Sequence, residues 1–138
     1  MRPLVPFLAL LALPACSAPR PGGDGDVACT LEFRTYTVQV VDEADQPVGG
    51  LTPTVRNLRT GEVLDLRDTG DVLAGGEGRY LVVTDAQLEQ LSARGDSLHF
   101  RATGDGLVAE AEFVFSGGPC HVEKESGPEQ IVARPEGD

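Results

Sequence analysis

Short runs in which apolar and polar residues alternate constrain the fold of this chain more than any other feature. A period of two residues is typical of strands that bury one face, and turn residues every 8–12 positions or so are typical of sandwiches. The sequence therefore predicts an all-β fold, an antiparallel sandwich of about seven strands. The first run is long enough to need a bulge or break near Thr35. The runs cover residues 30–42, 54–58, 63–66, 72–73, 79–84, 97–103, 107–115 and 130–133.

One segment departs from this period. Within residues 85–95, Leu88 and Leu91 lie three positions apart, as they would on one face of a helix. Thr84 or Asp85 is suited to cap the start of such a helix, and Gly95 is suited to end it. The sequence thus predicts one short helix between two strands.

The first fifteen residues have the layout of a secretory signal peptide. Arg2 precedes an apolar run that Ala15 closes. The run is shorter than the ~20 apolar residues that a membrane-spanning helix needs. We therefore expect residues 1–15 to direct export and to be removed, and we expect no other stretch to span a membrane.

Cys16 directly follows this segment. The tetrapeptide Leu-Pro-Ala-Cys at residues 13–16 resembles the lipobox of bacterial lipoproteins, although Pro14 stands where a small or β-branched residue is more usual. The resemblance implies a lipid anchor of several acyl chains on Cys16, which holds a protein firmly on a membrane. Ser17 follows in place of an aspartate, which favours the outer membrane of the cell envelope. The alternative is an ordinary signal peptide followed by an unmodified cysteine.

Composition divides the exported chain into a tether, a domain and a tail. Proline, glycine and aspartate dominate residues 17–26, and these residues cannot build a core. We interpret residues 16–28 as the lipidated cysteine with a flexible tether, 29–134 as the β-sandwich domain, and 135–138 as a polar tail. A domain of about a hundred residues has room for one core.

The chain is strongly acidic. It carries 22 Asp and Glu against 11 Lys and Arg, a formal charge of −11. Loss of residues 1–15 would remove Arg2, leaving ten basic residues and a charge of −12. Binding of nucleic acid needs basic patches, so nucleic acid is excluded as a partner. The same charge disfavours electrostatic contact with anionic lipid.

Two cysteines, Cys29 and Cys120, remain after the proposed anchor. An exported protein meets an oxidising compartment, where such a pair forms a disulfide. The bridge would tie the start of the domain to its C-terminal region. The alternative is a metal site formed by the two thiols and His121, but two cysteines and one histidine without a C-x-x-C make a poor zinc site.

Several short motifs resemble the carboxypeptidase regulatory-like domain. The run Val-Gln-Val-Val-Asp at residues 38–42 is followed by Pro47 and Val48, then by a hairpin with Thr60 and Gly61, then by Gly-Arg-Tyr at 78–80. The resemblance covers about residues 36–115. It implies a transthyretin-like sandwich of seven strands and a non-catalytic module appended to exported proteins.

The chain has two histidines for acid–base chemistry, His99 and His121. A related hydrolase of the transthyretin fold acts on hydroxyisourate and ends in Tyr-Arg-Gly-Ser, whereas this chain ends in Arg-Pro-Glu-Gly-Asp. Asp96, Ser97 and His99 supply the groups of a Ser-His-Asp triad, but a triad needs convergence in space rather than neighbours on one strand. We therefore expect His99 to be a polar residue on the outer face of its strand.

Three clusters have metal-ligand chemistry. His121 and Glu123 share one face of a strand, but a metal needs a third or fourth ligand. The two acidic clusters lack the calcium loop with its closing glutamate, and turn aspartates bond their own backbone instead. The sequence predicts no cofactor, with a calcium-stabilised module as an alternative. The acidic clusters are Asp65, Asp68 and Asp71, and Asp42, Glu43 and Asp45.

These observations predict a lipid-anchored, non-enzymatic β-sandwich that acts as a binding or envelope-structural module. Its partners would be the membrane, through the lipid on Cys16, and an envelope protein recognised by strand addition at an exposed sheet edge. The alternatives are a hydrolase built on His99 or His121, and a calcium-stabilised module. Fold cannot choose among them, because one sandwich hosts many functions.

Overall fold

The computed structural model describes residues 27–66 and 76–137. Within them, eight strands form two sheets that share one core, which confirms the predicted all-β sandwich. The strands are β1 (Thr35–Val41), β2 (Thr52–Asn57), β3 (Arg79–Thr84), β4 (Asp96–Gly104), β5 (Leu107–Gly117), β6 (Val122–Ser126), β7 (Gln130–Val132) and β8 (Arg134–Pro135).

The smaller sheet has the order β3-β1-β7. β1 and β3 are antiparallel, with a bulge between Tyr36 and Thr37 close to the break predicted at Thr35. β7 pairs parallel with β1, so this one pair departs from the antiparallel pattern. The parallel pair arises because the chain reaches β7 from the other sheet rather than through a hairpin from β1.

The larger sheet has the order β2-β4-β5-β6, and its three neighbouring pairs are antiparallel. β8 also pairs with β5, at Leu107 and Val108. β6 covers the other end of the same edge of β5, from Val114 to Gly117. Between β6 and β8 the chain crosses to the smaller sheet as β7 and returns.

The core fills the space between the two sheets. Phe100 of β4 and Phe113 of β5 meet edge to face, with ring centroids 6.4 Å apart. The Tyr80 hydroxyl donates to the carbonyl of Val48 and accepts from the amide of Leu51. The loop before β2 thus provides both hydrogen-bond partners of this buried hydroxyl. The largest fully buried apolar side chains are Tyr80, Phe100, Phe113, Phe115, Leu98, Val38, Val40, Val55, Val82, Val83 and Val122.

The sequence predictions differ from the structure at three places in the strands. The first strand begins at Thr35 rather than at residue 30, so Leu31 and Phe33 precede it, and both are exposed. The predicted strand 63–66 is reduced to one bridge between Arg56 and Val63, because Leu64 turns into the core. β6 was not predicted, because Val122 is its one buried residue and the rest is polar. The short run 72–73 lies outside the described residues.

The predicted helix is a 3-10 helix, Asp85–Gln90. Thr84 caps its start: its hydroxyl accepts from the amide of Ala86, and the side chain of Gln87 completes the capping box. The helix ends at Gln90 rather than near Gly95, because Gly95 closes a separate turn through its amide to Ser92. A single 3-10 turn, Gly76–Gly78, precedes β3. Among the described residues no helix has the length and hydropathy to cross a membrane.

The predicted tail, residues 135–138, is partly held against the sheet. Pro135 belongs to β8, and the amide of Glu136 donates to the carbonyl of Gly106 at 2.8 Å. The carboxylate of Glu136 accepts from Arg101 at 2.9 Å. The domain therefore extends at least to Glu136.

Candidate functional site

The disulfide predicted from the sequence joins Cys29 to Cys120, with Cα atoms 5.4 Å apart. The bridge fastens the irregular residues before β1 to the turn before β6. A bridged cysteine has no free thiolate, so the alternative metal site formed by both cysteines and His121 is wrong.

His121 follows this bridge and lies within hydrogen-bond reach of two side chains. Its Nδ1 lies 2.7 Å from Oδ2 of Asp85, and its Nε2 lies 3.1 Å from Oγ1 of Thr30. The side chains of His121 and Asp85 are each 10% exposed, whereas Thr30 faces solvent. The Thr30 hydroxyl, the His121 imidazole and the Asp85 carboxylate thus form a hydrogen-bonded series, the Thr30–His121–Asp85 series.

Asp85 is bound on both carboxylate oxygens. Oδ2 accepts from the amide of Arg34 and Oδ1 from the amide of Val122, each at 2.8 Å. Burial alone would raise the pKa of Asp85, but the two amides and His121 outweigh it and hold that pKa below its usual range. Asp85 is therefore a carboxylate that fixes the position and orientation of the His121 ring.

The series has the contacts of a nucleophile, a general base and the group that orients the base. Sequence reasoning singled out His121 but missed Thr30 and Asp85. One signal was present: a Cys29–Cys120 bridge must bring their neighbours, Thr30 and His121, close together. The contact with Asp85 depends on how the sheets pack, which spacing does not reveal.

As expected from the sequence, the groups of Asp96, Ser97 and His99 are not brought together as a triad. Asp96 and His99 lie on opposite faces of β4, since burial alternates along the strand. Asp96 is bound to Arg59 inside the domain, and His99 lies outside, 3.9 Å from Glu110. His99 is thus a partly exposed residue on the outer face of its strand, as predicted.

The calcium alternative gains no support. Asp42 uses Oδ1 to accept from the amides of Ala44 and Gln46, so it closes its own turn. Asp68 and Asp71 lie outside the described residues. Across the described part of the chain, no three His, Cys, Asp or Glu side chains are grouped to hold a metal ion.

A different kind of site lies on β5, where its edge is open between β6 and β8. The ladder with β8 ends at Val108 and the ladder with β6 begins at Val114. The amide of Glu136 donates to Gly106, and bonded residues alternate in an antiparallel ladder. The N–H and C=O groups of Glu110 and Glu112 therefore point to this open edge, where no described strand pairs with them.

A groove of about 510 Å³ lies over this open edge. Its volume is in the range of small-ligand clefts, ~300–1,000 Å³. Arg134 has no acidic partner among the described residues, whereas Glu110 pairs with Arg101 at 2.5 Å. The walls of the groove are apolar and polar in similar measure, and unpaired main-chain groups of β5 lie along one side. It is lined by Val108, Glu110, Ala111, Pro128, Gln130, Ile131, Val132, Arg134 and Pro135.

The predicted lipidation residue, Cys16, lies outside the described residues, as do residues 1–15 and the tether up to residue 26. Their assignments stay predictions. Comparison of the chain with protein-family models, with curated proteins and with solved structures gave no match.

Proposed function

We propose that this chain is a lipid-anchored, non-enzymatic binding module of the bacterial cell envelope. Its binding site is the open edge of β5, and its ligand is a short extended segment of another envelope protein. The observation that carries this proposal is the open edge at Glu110 and Glu112, where no described strand pairs with β5 and Glu110 lines a groove.

The length of the opening limits what can bind. Ladder pairs at Val108 and Val114 border it, and a strand rises ~3.3 Å per residue, so about 20 Å separates the two borders. β8 pairs with β5 on one side of this opening and β6 pairs with β5 on the other. The ligand is therefore a loop or chain end that contributes a few extended residues, rather than a long strand.

The proposed lipid anchor on Cys16 is inferred from the sequence. Residues 13–16 resemble a lipobox, and the disulfide accords with an exported protein because such bridges persist in oxidising compartments. Anchoring raises the local concentration of the domain near its envelope partner, so a small binding edge is sufficient.

The binding site is tested with short peptides of alternating valine and threonine. We expect them to bind the wild type and Leu58→Trp, an exposed control residue that directly follows β2. Ala111→Trp should weaken binding about tenfold or more, because Ala111 lines the groove; since Ala111 also packs partly against the core, the melting temperature verifies that the variant is folded. Peptides N-methylated at alternate amides should not bind. Equal affinity for methylated and unmethylated peptides would show that the edge of β5 is not used.

The anchor is tested by the intact mass of protein from bacterial membranes. The proposal expects a chain that starts at Cys16 and carries acyl mass, with two extra hydrogens after reduction. A chain that starts elsewhere and carries no lipid would remove the anchor and leave the binding site standing.

A second candidate function is hydrolysis of an ester, and the Thr30–His121–Asp85 series is the observation that favours it. Oγ1 of Thr30 would attack the ester carbonyl while Nε2 of His121 takes its proton. Asp85 would stabilise the imidazolium, which then returns the proton to the leaving alcohol; water would cleave the acyl-threonine in the same way.

This candidate is tested with p-nitrophenyl acetate. Thr30→Val and His121→Gln should abolish turnover, whereas His99→Gln should retain it. Circular dichroism and the melting temperature verify that each variant is folded. A wild type without turnover, or turnover that survives both changes, eliminates the hydrolase.

A further inference from the structure

The most exposed large apolar residues of the described chain are concentrated in one segment. Val27, Leu31 and Phe33 are 59%, 106% and 57% exposed. These three residues fall within residues 27–33, whereas Leu58 and Val63, 46% and 49% exposed, flank one hairpin and Val132, 40% exposed, stands apart in β7. Single exposed apolar residues are ordinary, but a cluster marks an interaction surface.

The segment 27–33 is fastened to the domain. The disulfide holds it at Cys29, and the Thr30 hydroxyl contacts His121. At its far end the amide of Arg34 donates to Asp85, and the guanidinium lies 3.7 Å from Glu123. The apolar side chains are therefore presented on a fixed part of the domain, and the fold does not bury them.

The position of this segment in the sequence indicates what covers it. Val27 follows Cys16 by eleven residues, a distance of at most ~40 Å even if the chain were fully extended. No described residue is nearer to Cys16 along the chain. β1 then leads from Thr35 towards the opposite end of the sandwich.

We propose that residues 27–33 lie against the membrane that holds Cys16, with Leu31 and Phe33 at the boundary between headgroups and acyl chains. This inference rests on the lipid anchor of the proposed function. Because the anchor keeps the domain at the membrane, a weak apolar contact is sufficient to orient it. The lipidated chain, without Arg2, has ten basic and 22 acidic residues, a charge of −12 that disfavours an anionic surface, so the partner is zwitterionic lipid.

The chain has no tryptophan, so one introduced indole reports on its own surroundings. The full lipidated chain carrying Leu31→Trp is placed in phosphatidylcholine vesicles, with or without bromine on the acyl chains. The control is Ala44→Trp, in the exposed turn that follows β1 at the other end of the sandwich. We expect brominated lipid to quench more than half of the emission of Leu31→Trp and to leave that of Ala44→Trp unchanged.

Each other result overturns the contact. If the mass of the sample includes lipid and brominated lipid quenches both variants equally, or quenches neither, residues 27–33 do not contact the membrane and the lipid anchor stands. A sample without lipid refutes the anchor and the contact together. Emission of Leu31→Trp that is already blue-shifted in an unlipidated Cys16→Ser chain in buffer shows that protein, such as a second copy, covers the segment.

Discussion

The guanidinium of Arg59 donates two hydrogen bonds to the carboxylate of Asp96, Nε to Oδ1 at 2.5 Å and Nη2 to Oδ2 at 2.8 Å. The Asp96 side chain has no exposed surface, whereas the Arg59 side chain is 53% exposed. The Asn57 side chain and the Ser92 amide also donate to Oδ2. Asp96 thus joins the end of β2, the start of β4 and the segment after the 3-10 helix.

This arrangement predicts a pH dependence of stability. The hydrogen bond from Arg59, helped by Asn57 and Ser92 and opposed by burial, lowers the pKa of Asp96 from 3.8 to about 2. A depressed pKa stabilises the fold fully above the pKa of the unfolded chain, and this contribution is lost as the pH falls from about 4 to about 2. It amounts to about 2 kcal/mol of the free energy of unfolding.

Urea unfolding over this pH range tests the contribution. Asp96→Asn should be destabilised by about 3 kcal/mol at neutral pH, because Arg59 loses its charged partner and the buried bonds weaken. The variant should also show a smaller loss of stability than the wild type as the pH falls. Parallel pH curves for wild type and variant would show that Asp96 does not titrate as described.

A second prediction concerns the disulfide. The bridge between Cys29 and Cys120 spans 91 positions, and closing a loop of this size is worth up to about 4–5 kcal/mol in the chain-entropy account. Reductant should therefore lower the melting temperature of the wild type. The double variant Cys29→Ser/Cys120→Ser should melt at the reduced value in either buffer. A wild type that melts equally with and without reductant contradicts the prediction.

The two histidines should differ in their contribution to stability. His121→Ala removes a nearly buried ring bound to Asp85 and Thr30, so we expect a loss of about 1–3 kcal/mol. His99→Ala removes a partly exposed ring on β4, and its effect should stay within about 0.5 kcal/mol. Chemical denaturation of both variants provides the comparison, and equal losses would refute the structural role of His121.

Gly127 should tolerate no side chain. It has φ +129° in the turn between β6 and β7, and a Cβ there would overlap the ring of Phe113. Gly106 has φ +74° but open space around the same position. Gly106→Ala should cost about 1–2 kcal/mol for the backbone alone, and Gly127→Ala clearly more, because the ring must move as well. Thermal melting ranks the two, and the reverse order would contradict the packing described.

The sequence predicted the parts of this fold that depend on local pattern. Alternation located the strands that bury one face, such as β4 and β5, and the spacing of Leu88 and Leu91 behind a capping residue, Thr84 or Asp85, located the helix. β6 was not predicted, because Val122 is its one buried residue and its other residues resemble a polar loop. The irregular start of the chain was misjudged because Leu31 and Phe33 alternate like a strand, while the disulfide holds them outside the sheet.

The sites depend on long-range placement, which spacing does not encode. His121 and the cysteine pair were identified from residue type, but Asp85 lies 36 positions before His121 and meets it only after the sheets pack. The open edge at Glu110 and Glu112 has no sequence signal either. It exists because the chain crosses to the smaller sheet between β6 and β8.

Amide hydrogen exchange along β5 tests the central claim most directly. In the free protein, the amides of Glu110 and Glu112 should exchange much faster than that of Ala111, which is paired with β4. A saturating peptide of alternating valine and threonine should slow both glutamate amides about tenfold or more and leave the Ala111 amide unchanged. If both are already as slow as Ala111, or keep their rates when the peptide is bound, the edge of β5 is not a binding site for extended chains.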